Sequence, residues 1–500
     1  MAGKLRCKTL AHTSGQTESR ALAKTLSWPH LVALGVGAII GTGIYTLIGT
    51  AADKAGPAIL LAFMIAGFVC ACAAFAYAEL ASMVPAAGGA YTYSYMACGE
   101  LVAWVVAWST IFGFVLTASL VASGWSAYCA PYFVRALAHW GVDVPPVLLH
   151  PYGAAPDGQM GFINLPAVFL VFLVGLFLLR GTQTSAMVNA VLVVLKLAAL
   201  FLFVAVALPY FSGANLAPVN PDGTYGFMPY GFFRHIGADG VERGVMTAAA
   251  LVFFAFYGFD TVANAAEEAK NPSRDLAIGI IGSLSICILV FLIVSLAAVG
   301  AMPFSRFADK GDVLAFVLRE VRQERAAAII AIVAGLALPT VLLAFFYALT
   351  RLLFTMGRDR LIPPYFARMG ERGTPAGTVL LTALLMALIA GFFPITKLAD
   401  YVNAGPLFTF AMVGVCMLAL RRKYPAVPRG FKTPCVWPVG LIGIAGCGYL
   451  FWNLPLNTQF GFLLWNLAGL GLYFAYGYRR SILACGGGGP ADAGPAGREV

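Results

Sequence analysis

Two ionisable side chains stand where water should be scarce. Lys196 lies in Val193-Val194-Leu195-Lys196-Leu197-Ala198, and Asp260 follows Phe256-Tyr257-Gly258-Phe259. Lys196 is eleven residues into an apolar run that begins near residue 186. At a helical rise it sits about 15 Å from either end, too deep for its stem to reach water easily. Ionisable residues at such depth are costly to keep and mark functional sites by default. Loss of water disfavours the charged form of an amine, which suits a proton carrier. The competing reading is a structural lysine, salt-bridged or bonded to backbone carbonyls. Asp260 has two readings as well. It can cap a helix that stops near Gly258 and restarts, or it can pair with a buried neighbour.

A third stretch has no charge but an unusual backbone. Gly35-Val36-Gly37-Ala38-Ile39-Ile40-Gly41-Thr42-Gly43-Ile44 places four glycines in nine residues of the first apolar run. Each glycine weakens a helix by up to about 1 kcal/mol relative to alanine. Within a bilayer, unpaired backbone is tolerated only where it lines protein or a cavity. So either these glycines let a neighbouring helix pack closely, or the helix breaks here and its bare amides bind something. If both glycine-containing runs break, their chemistry is complementary. A helix restarting after Gly41-Thr42-Gly43 offers free amides and a positive dipole end to a carboxylate. Free carbonyls near Phe256 and Tyr257 suit an ammonium group. One site holding both is shaped for the zwitterionic end of an amino acid.

The elements that must carry these residues are membrane helices. The chain has 500 residues, 60% hydrophobic and 11% charged, with a mean hydropathy of +0.84. Soluble domains carry roughly a quarter charged residues. The apolar runs are long and continuous rather than alternating, so helices are expected and a barrel is not. Twelve spans are expected near 31–50, 58–84, 98–129, 163–180, 186–209, 246–266, 277–300, 326–352, 376–394, 398–420, 436–453 and 460–478. Residues 1–30 read as a basic tail without a cleaved signal peptide, and residues 481–500, rich in Gly, Ala and Pro, as a disordered tail. Asp312 to Arg325 reads as a short amphipathic surface helix, and 210–245 as an external loop.

Basic residues gather on alternate connections. Arg351, Arg358, Arg360, Arg368 and Arg372 follow span 8; Arg421, Arg422, Lys423, Arg429 and Lys432 follow span 10; Arg479 and Arg480 follow span 12. The other side has fewer, balanced by acids such as Asp309, Asp312 and Glu320. This bias predicts a plasma (inner) membrane protein with both termini in the cytoplasm. The net charge of +10 is accounted for by this pattern and calls for no nucleic-acid partner.

The sequence resembles the amino acid–polyamine–organocation superfamily, within it the cationic amino acid transporter branch and its bacterial relatives. The resemblance rests on the Gly35–Ile44 stretch, on Tyr77-Ala78-Glu79-Leu80 with Pro85 and Gly88-Gly89-Ala90-Tyr91-Thr92-Tyr93, on Phe259-Asp260 with Glu267-Glu268, Asn271-Pro272 and Arg274, and on Gly357-Arg358-Asp359-Arg360 with Leu361-Ile362-Pro363. It implies an all-α integral membrane fold with twelve transmembrane helices. An inverted-repeat core of five plus five spans, 31–209 and 246–420, would be joined by two peripheral helices over 436–478, with spans 1 and 6 discontinuous. It implies secondary transport of amino acids by alternating access, with Lys196 against carbonyls of the unwound first span, where sodium-coupled relatives hold their ion. The expected contacts to substrate are Ile40, Gly41, Thr42 and Gly43 at the first break, Phe112 and Gly113 in span 3, and Phe254, Phe256, Tyr257 and Gly258 at the second. Lys196 would carry the coupling proton and Asp260 would cap the second half-helix. The sequence departs from the pattern in three places. Gly113 stands where the branch carries a glutamate, Tyr257 replaces a smaller aliphatic residue, and Pro406 replaces a threonine.

The expected function is amino acid:proton symport of basic or broad-range amino acids. The alternatives are an amino acid or amine exchanger without proton coupling, and a transporter-like nutrient sensor. An integral membrane enzyme would want a His, Asp or metal cluster at an interface. His12, His30, His139, His150 and His235 fall in the tail or in loops and pair with no second ligand. The Cys70-x-Cys72 pair has no acid or histidine nearby, and the ten scattered cysteines form no disulfide framework. No metal or cofactor is expected. The partners are the amino acid, the proton and the bilayer, with a small membrane subunit left open.

Overall fold

The computed structural model describes residues 6–7, 26–84, 88–141, 143–153, 161–179, 186–218, 226–237, 240–266, 269–307, 310–368 and 376–483. Glu267 and Glu268, two of the residues that carry the resemblance, lie outside the described residues, as do Pro85, Asp309, Arg372 and most of both tails.

The apolar runs form helices. Among the described residues, eight helices are long and apolar enough to cross a membrane, and four shorter apolar helices accompany them. In chain order the elements used below are α1 (Trp28–Ile39), α2 (Thr42–Tyr45), α3 (Leu47–Ala55), α4 (Ile59–Met83), α5 (Gly89–Ala97), α6 (Glu100–His139), α7 (Leu165–Leu179), α8 (Ala186–Ala207), α9 (Val245–Val252), α10 (Asp260–Asn264), α11 (Pro272–Ala301), α12 (Val313–Glu320), α13 (Glu324–Arg358), α14 (Ala376–Phe392), α15 (Ile395–Tyr401), α16 (Ala404–Lys423), α17 (Val436–Trp452) and α18 (Leu456–Leu472). One pair of two-residue strands, His235–Ile236 and Glu242–Arg243, pairs antiparallel in the loop before α9.

Several boundaries differ from the hydropathy reading. α6 runs ten residues past the expected end near 129 and passes through Pro131, so His139 stands on its last turn rather than in a loop. α12 is shorter than the Asp312–Arg325 segment, and it buries Val313, Leu314, Val317 and Leu318 while Arg319 pairs with Asp312.

The packing puts the two irregular helices at the centre. α6 packs along α13, α11 packs along both α1 and α4, and α16 packs along α17. The outward faces are apolar, as on α8, where Val194 is 66% exposed but Lys196, two residues on, is 1% exposed. A two-residue step turns the side chain to the other side of a helix. A greasy exterior over a core that holds the polar groups is the arrangement a bilayer selects.

Candidate functional site

Both glycine-containing runs break. α1 ends at Ile39, Ile40 is extended, and the chain restarts at Thr42 after Gly41. The first amides of the restarted helix have no intrahelical acceptor. The carbonyls of the last turn of α1 are similarly short of donors. Ile40 N–H takes that of Val36 at 2.9 Å.

The second break is built differently. α9 tightens into a 3-10 turn over Phe253–Phe256, Tyr257 is extended, and Gly258 takes φ +136°. The carbonyls of Phe256 and Tyr257 accept no backbone hydrogen bond among the described residues. The carbonyl of Gly258 accepts Thr261 Oγ1 at 2.6 Å and its N–H at 3.1 Å.

The two breaks touch. A side chain on Gly258 would begin 2.9 Å from the carbonyl carbon of Ala38 and 3.0 Å from the Ile39 nitrogen. A side chain on Gly43 would run into the backbone of Ala255. Glycine is required at both positions because main chain meets main chain. The main chain of one break therefore lies directly against the main chain of the other.

Lys196 reaches this junction from α8. Its ammonium donates a 2.7 Å hydrogen bond to the carbonyl of Gly37, in the last turn of α1. Tyr45 Oη donates to the Lys196 carbonyl at 3.5 Å, and Tyr128 Oη from α6 donates to the Tyr45 carbonyl at 2.5 Å. Lys196 is thus tied to both sides of the first break. The Thr42 and Thr46 hydroxyls, on the restarted side, are buried without a hydrogen-bond partner among the described residues.

Asp260 is placed one position later than an N-cap. Phe259 holds the cap position and Asp260 is the first residue of α10. The reason is local: Phe259 is already helical in its backbone angles, so the turn closes one residue early. The Asp260 carboxylate still faces the amides of Gly258, Asp260 and Thr261, and its Oδ1 has no hydrogen-bond partner among the described residues. An acid in a first turn is favoured by the helix dipole.

The aromatic residues divide into two sets. Tyr257 stacks on Phe114 at 5.9 Å between ring centres and packs on Phe345 at 5.1 Å and Phe410 at 5.8 Å. Phe112, expected in this site, instead packs on Phe462 and Trp465 of α18 at 5.7 and 5.5 Å. Phe114 takes its place, because two residues along α6 is the opposite face. Phe256 also faces away, against Phe63 and Phe291 at 6.0 and 5.4 Å. Ile40 and Phe254 are buried at the breaks, and a side chain on Gly113 would begin 3.5 Å from the Tyr257 hydroxyl. Asn403, not singled out by sequence, donates from Nδ2 to the Leu251 carbonyl at 2.8 Å and ties α16 to the last turn of α9. An asparagine beside Gly405-Pro406 at a helix start was its only signal.

Glu79 is kept apart from this site. It accepts Arg421 Nε and Nη2 at 2.6 and 2.7 Å and the Thr433 amide at 2.9 Å, with Arg429 Nε 3.1 Å away. That is a structural clamp between α4, the end of α16 and the loop that follows.

Comparison with known proteins agrees with this geometry. The family described as amino acid permease matches residues 26–474. The methylthioribose transporter of Bacillus subtilis (strain 168) is 38% identical over 486 residues, 97% of this chain and 100% of that protein. The branched-chain amino acid permease BcaP of the same organism is 39% identical over 475 residues, covering 95% and 97%. The mitochondrial cationic amino acid transporter 3 of Arabidopsis thaliana is 36% identical over 428 residues, covering 84% and 67%.

Proposed function

Because the chain belongs to the amino acid permease family, and is a membrane transporter rather than an enzyme, we propose that it carries amino acids by proton symport with alternating access. The observation that carries the coupling is the 2.7 Å bond from Lys196 to the Gly37 carbonyl. A charged donor makes that bond about twice as strong as a neutral one. Proton loss weakens the hold of α8 on the last turn of α1. That turn leads directly into Gly41–Gly43, whose amides would receive the substrate carboxylate. The carbonyls of Phe256 and Tyr257 would receive its ammonium. Protonation and substrate binding thus act on the same few residues of backbone.

The proposed organisation is twelve spans, with inverted halves 31–209 and 246–420 and peripheral helices over 436–478. Breaks in helices five spans apart support it, since this is the pattern of inverted-repeat transporters with a midplane site. The basic clusters after α13 and α16 support a plasma-membrane orientation with both termini in the cytoplasm.

The test is uptake of labelled amino acids into liposomes holding the purified protein, with an inward proton gradient and no sodium. Gradient-driven uptake that a protonophore abolishes, and that Lys196→Ala uncouples from pH, is the expected result. Uptake by Lys196→Ala still fully driven by the gradient refutes the coupling role. Uptake only into amino-acid-loaded liposomes, indifferent to the gradient, makes the protein an exchanger.

A further inference from the structure

The clamp on Glu79 leaves positive charge over. Its carboxylate accepts Arg421 through Nε and Nη2, and Arg429 Nε stands 3.1 Å away. Two guanidinium groups thus share one carboxylate. Arg421, Arg429 and Lys432 together line a cleft of about 450 Å³, walled by residues 425–428, and no acid is among the lining residues. Glu79 is the carboxylate paired with these cations among the described residues, so two positive charges are left over. Cations gathered in a partly buried place are costly unless an anion joins them.

The cleft is held in shape. Arg429 also donates to the carbonyls of Val427, Leu420 and Tyr424 at 3.2, 3.3 and 3.0 Å. Phe431 stacks on Phe75 of α4 at 6.2 Å between ring centres, and its amide donates to Ser82 Oγ at 3.2 Å. Thr433 Oγ1 donates to the Phe75 carbonyl at 3.0 Å. A side chain on Gly430 would run into Ser273 at the start of α11. Pro425 and Pro428 restrict the backbone between these anchors. Two donors remain for a ligand. Arg421 Nη1 makes no hydrogen bond among the described residues. Lys432 is exposed and pairs with no carboxylate among them. A guanidinium edge fixed in place beside an ammonium suits the oxygens of a phosphate.

The level of the cleft points the same way. The Arg422 guanidinium lies 4.6 Å over the ring of Trp437, which is 43% exposed in the first turn of α17. Exposed tryptophans sit at the headgroup level of a bilayer. The cleft, one residue away on α16, therefore opens where lipid phosphates are concentrated, and basic pockets at this level take anionic head groups.

We infer that the cleft between Arg421, Arg429 and Lys432 is a binding site for a phosphate group, carried by an anionic lipid or by a soluble phosphate ester. The inference goes beyond the transport reading and does not depend on it. Bound phosphate offsets the surplus charge and ties the end of α16 to the loop that follows it.

The experiment is a titration of the purified full-length protein in uncharged detergent, read by thermal unfolding. The probes are short-chain phosphatidylglycerol, phosphatidylcholine of the same chain length, and glycerol phosphate. Phosphatidylglycerol should raise the melting temperature saturably, and phosphatidylcholine should not. Lys432→Gln should shift the midpoint of that titration to about fivefold higher concentration, the scale of one basic residue. Lys432→Arg should restore it. Arg422→Gln removes the same charge from the same end of α16 but outside the cleft, and should leave the midpoint unchanged. Glycerol phosphate that saturates with the same dependence on Lys432 supports the site and makes its ligand a soluble phosphate ester; saturation by phosphatidylglycerol alone supports it and makes the ligand a lipid. A response no greater to phosphatidylglycerol than to phosphatidylcholine overturns the inference. So do equal shifts in Lys432→Gln and Arg422→Gln, which would be unspecific attraction to a basic surface.

Discussion

Gly258→Ala tests the contact on which the whole site depends. Gly258 adopts φ +136°, a region that costs a residue with a side chain about 1–3 kcal/mol. The added methyl would also sit 2.9 Å from the Ala38 carbonyl carbon and 3.0 Å from its oxygen. Overpacking of this kind costs about 1–3 kcal/mol, and the obstacle is main chain, which cannot rotate away. Together the two effects come to about 2–6 kcal/mol if neither relaxes. The chain escapes the strain by separating the two breaks, and that dismantles the site. Transport at low substrate should therefore fall by at least about thirtyfold, the factor that 2 kcal/mol represents. The assay is initial-rate uptake in liposomes, paired with thermal unfolding in detergent. Gly282→Ala on α11 is the control, because a methyl there meets only Val32 Cγ2 at an ordinary 3.4 Å. It should leave both readouts unchanged or raise stability slightly. A Gly258→Ala protein with wild-type uptake and wild-type melting would show that the breaks do not need to touch.

Glu79→Gln should lower thermal stability by about 3–5 kcal/mol, because it leaves buried Arg429 and its neighbour Arg421 without a counter-charge. Arg306→Gln, at the exposed Arg306–Glu320 pair, should cost about 0–1 kcal/mol in the same melting experiment, and equal losses would refute the clamp. Phe114→Ala should raise the Michaelis constant for uptake by up to about tenfold through loss of its stacking on Tyr257. Phe112→Ala should leave that constant unchanged and lower the melting temperature, since its ring holds α18. The reverse pattern would assign the other face of α6 to the site.

What sequence determined was local. Glycines at 35, 37, 41 and 43, and the Gly258-Phe259-Asp260 step, weaken a helix wherever they occur, so both breaks were legible from intrinsic backbone preference. The apolar runs fixed the helices, and the depth of Lys196 in one of them marked it before any partner was known. Even the misplacement of Asp260 was a matter of one residue, within a single turn. The acceptor of Lys196 was a different kind of fact. Only the resemblance pointed to the first span, and only the packing of α8 on α1 brings Nζ to the Gly37 carbonyl, 159 residues away in sequence. The same holds for Phe112 and Phe114, which look alike in the chain and face opposite neighbours. It holds most for Gly113, Tyr257 and Pro406, each an isolated oddity in the sequence, since a side chain on Gly113 would begin 3.0 Å from Pro406 Cδ and 3.5 Å from the Tyr257 hydroxyl. Nothing in local preference links positions on α6, at the second break and on α16. Helix-to-helix packing decides which side chains share a space, and it depends on every neighbour at once.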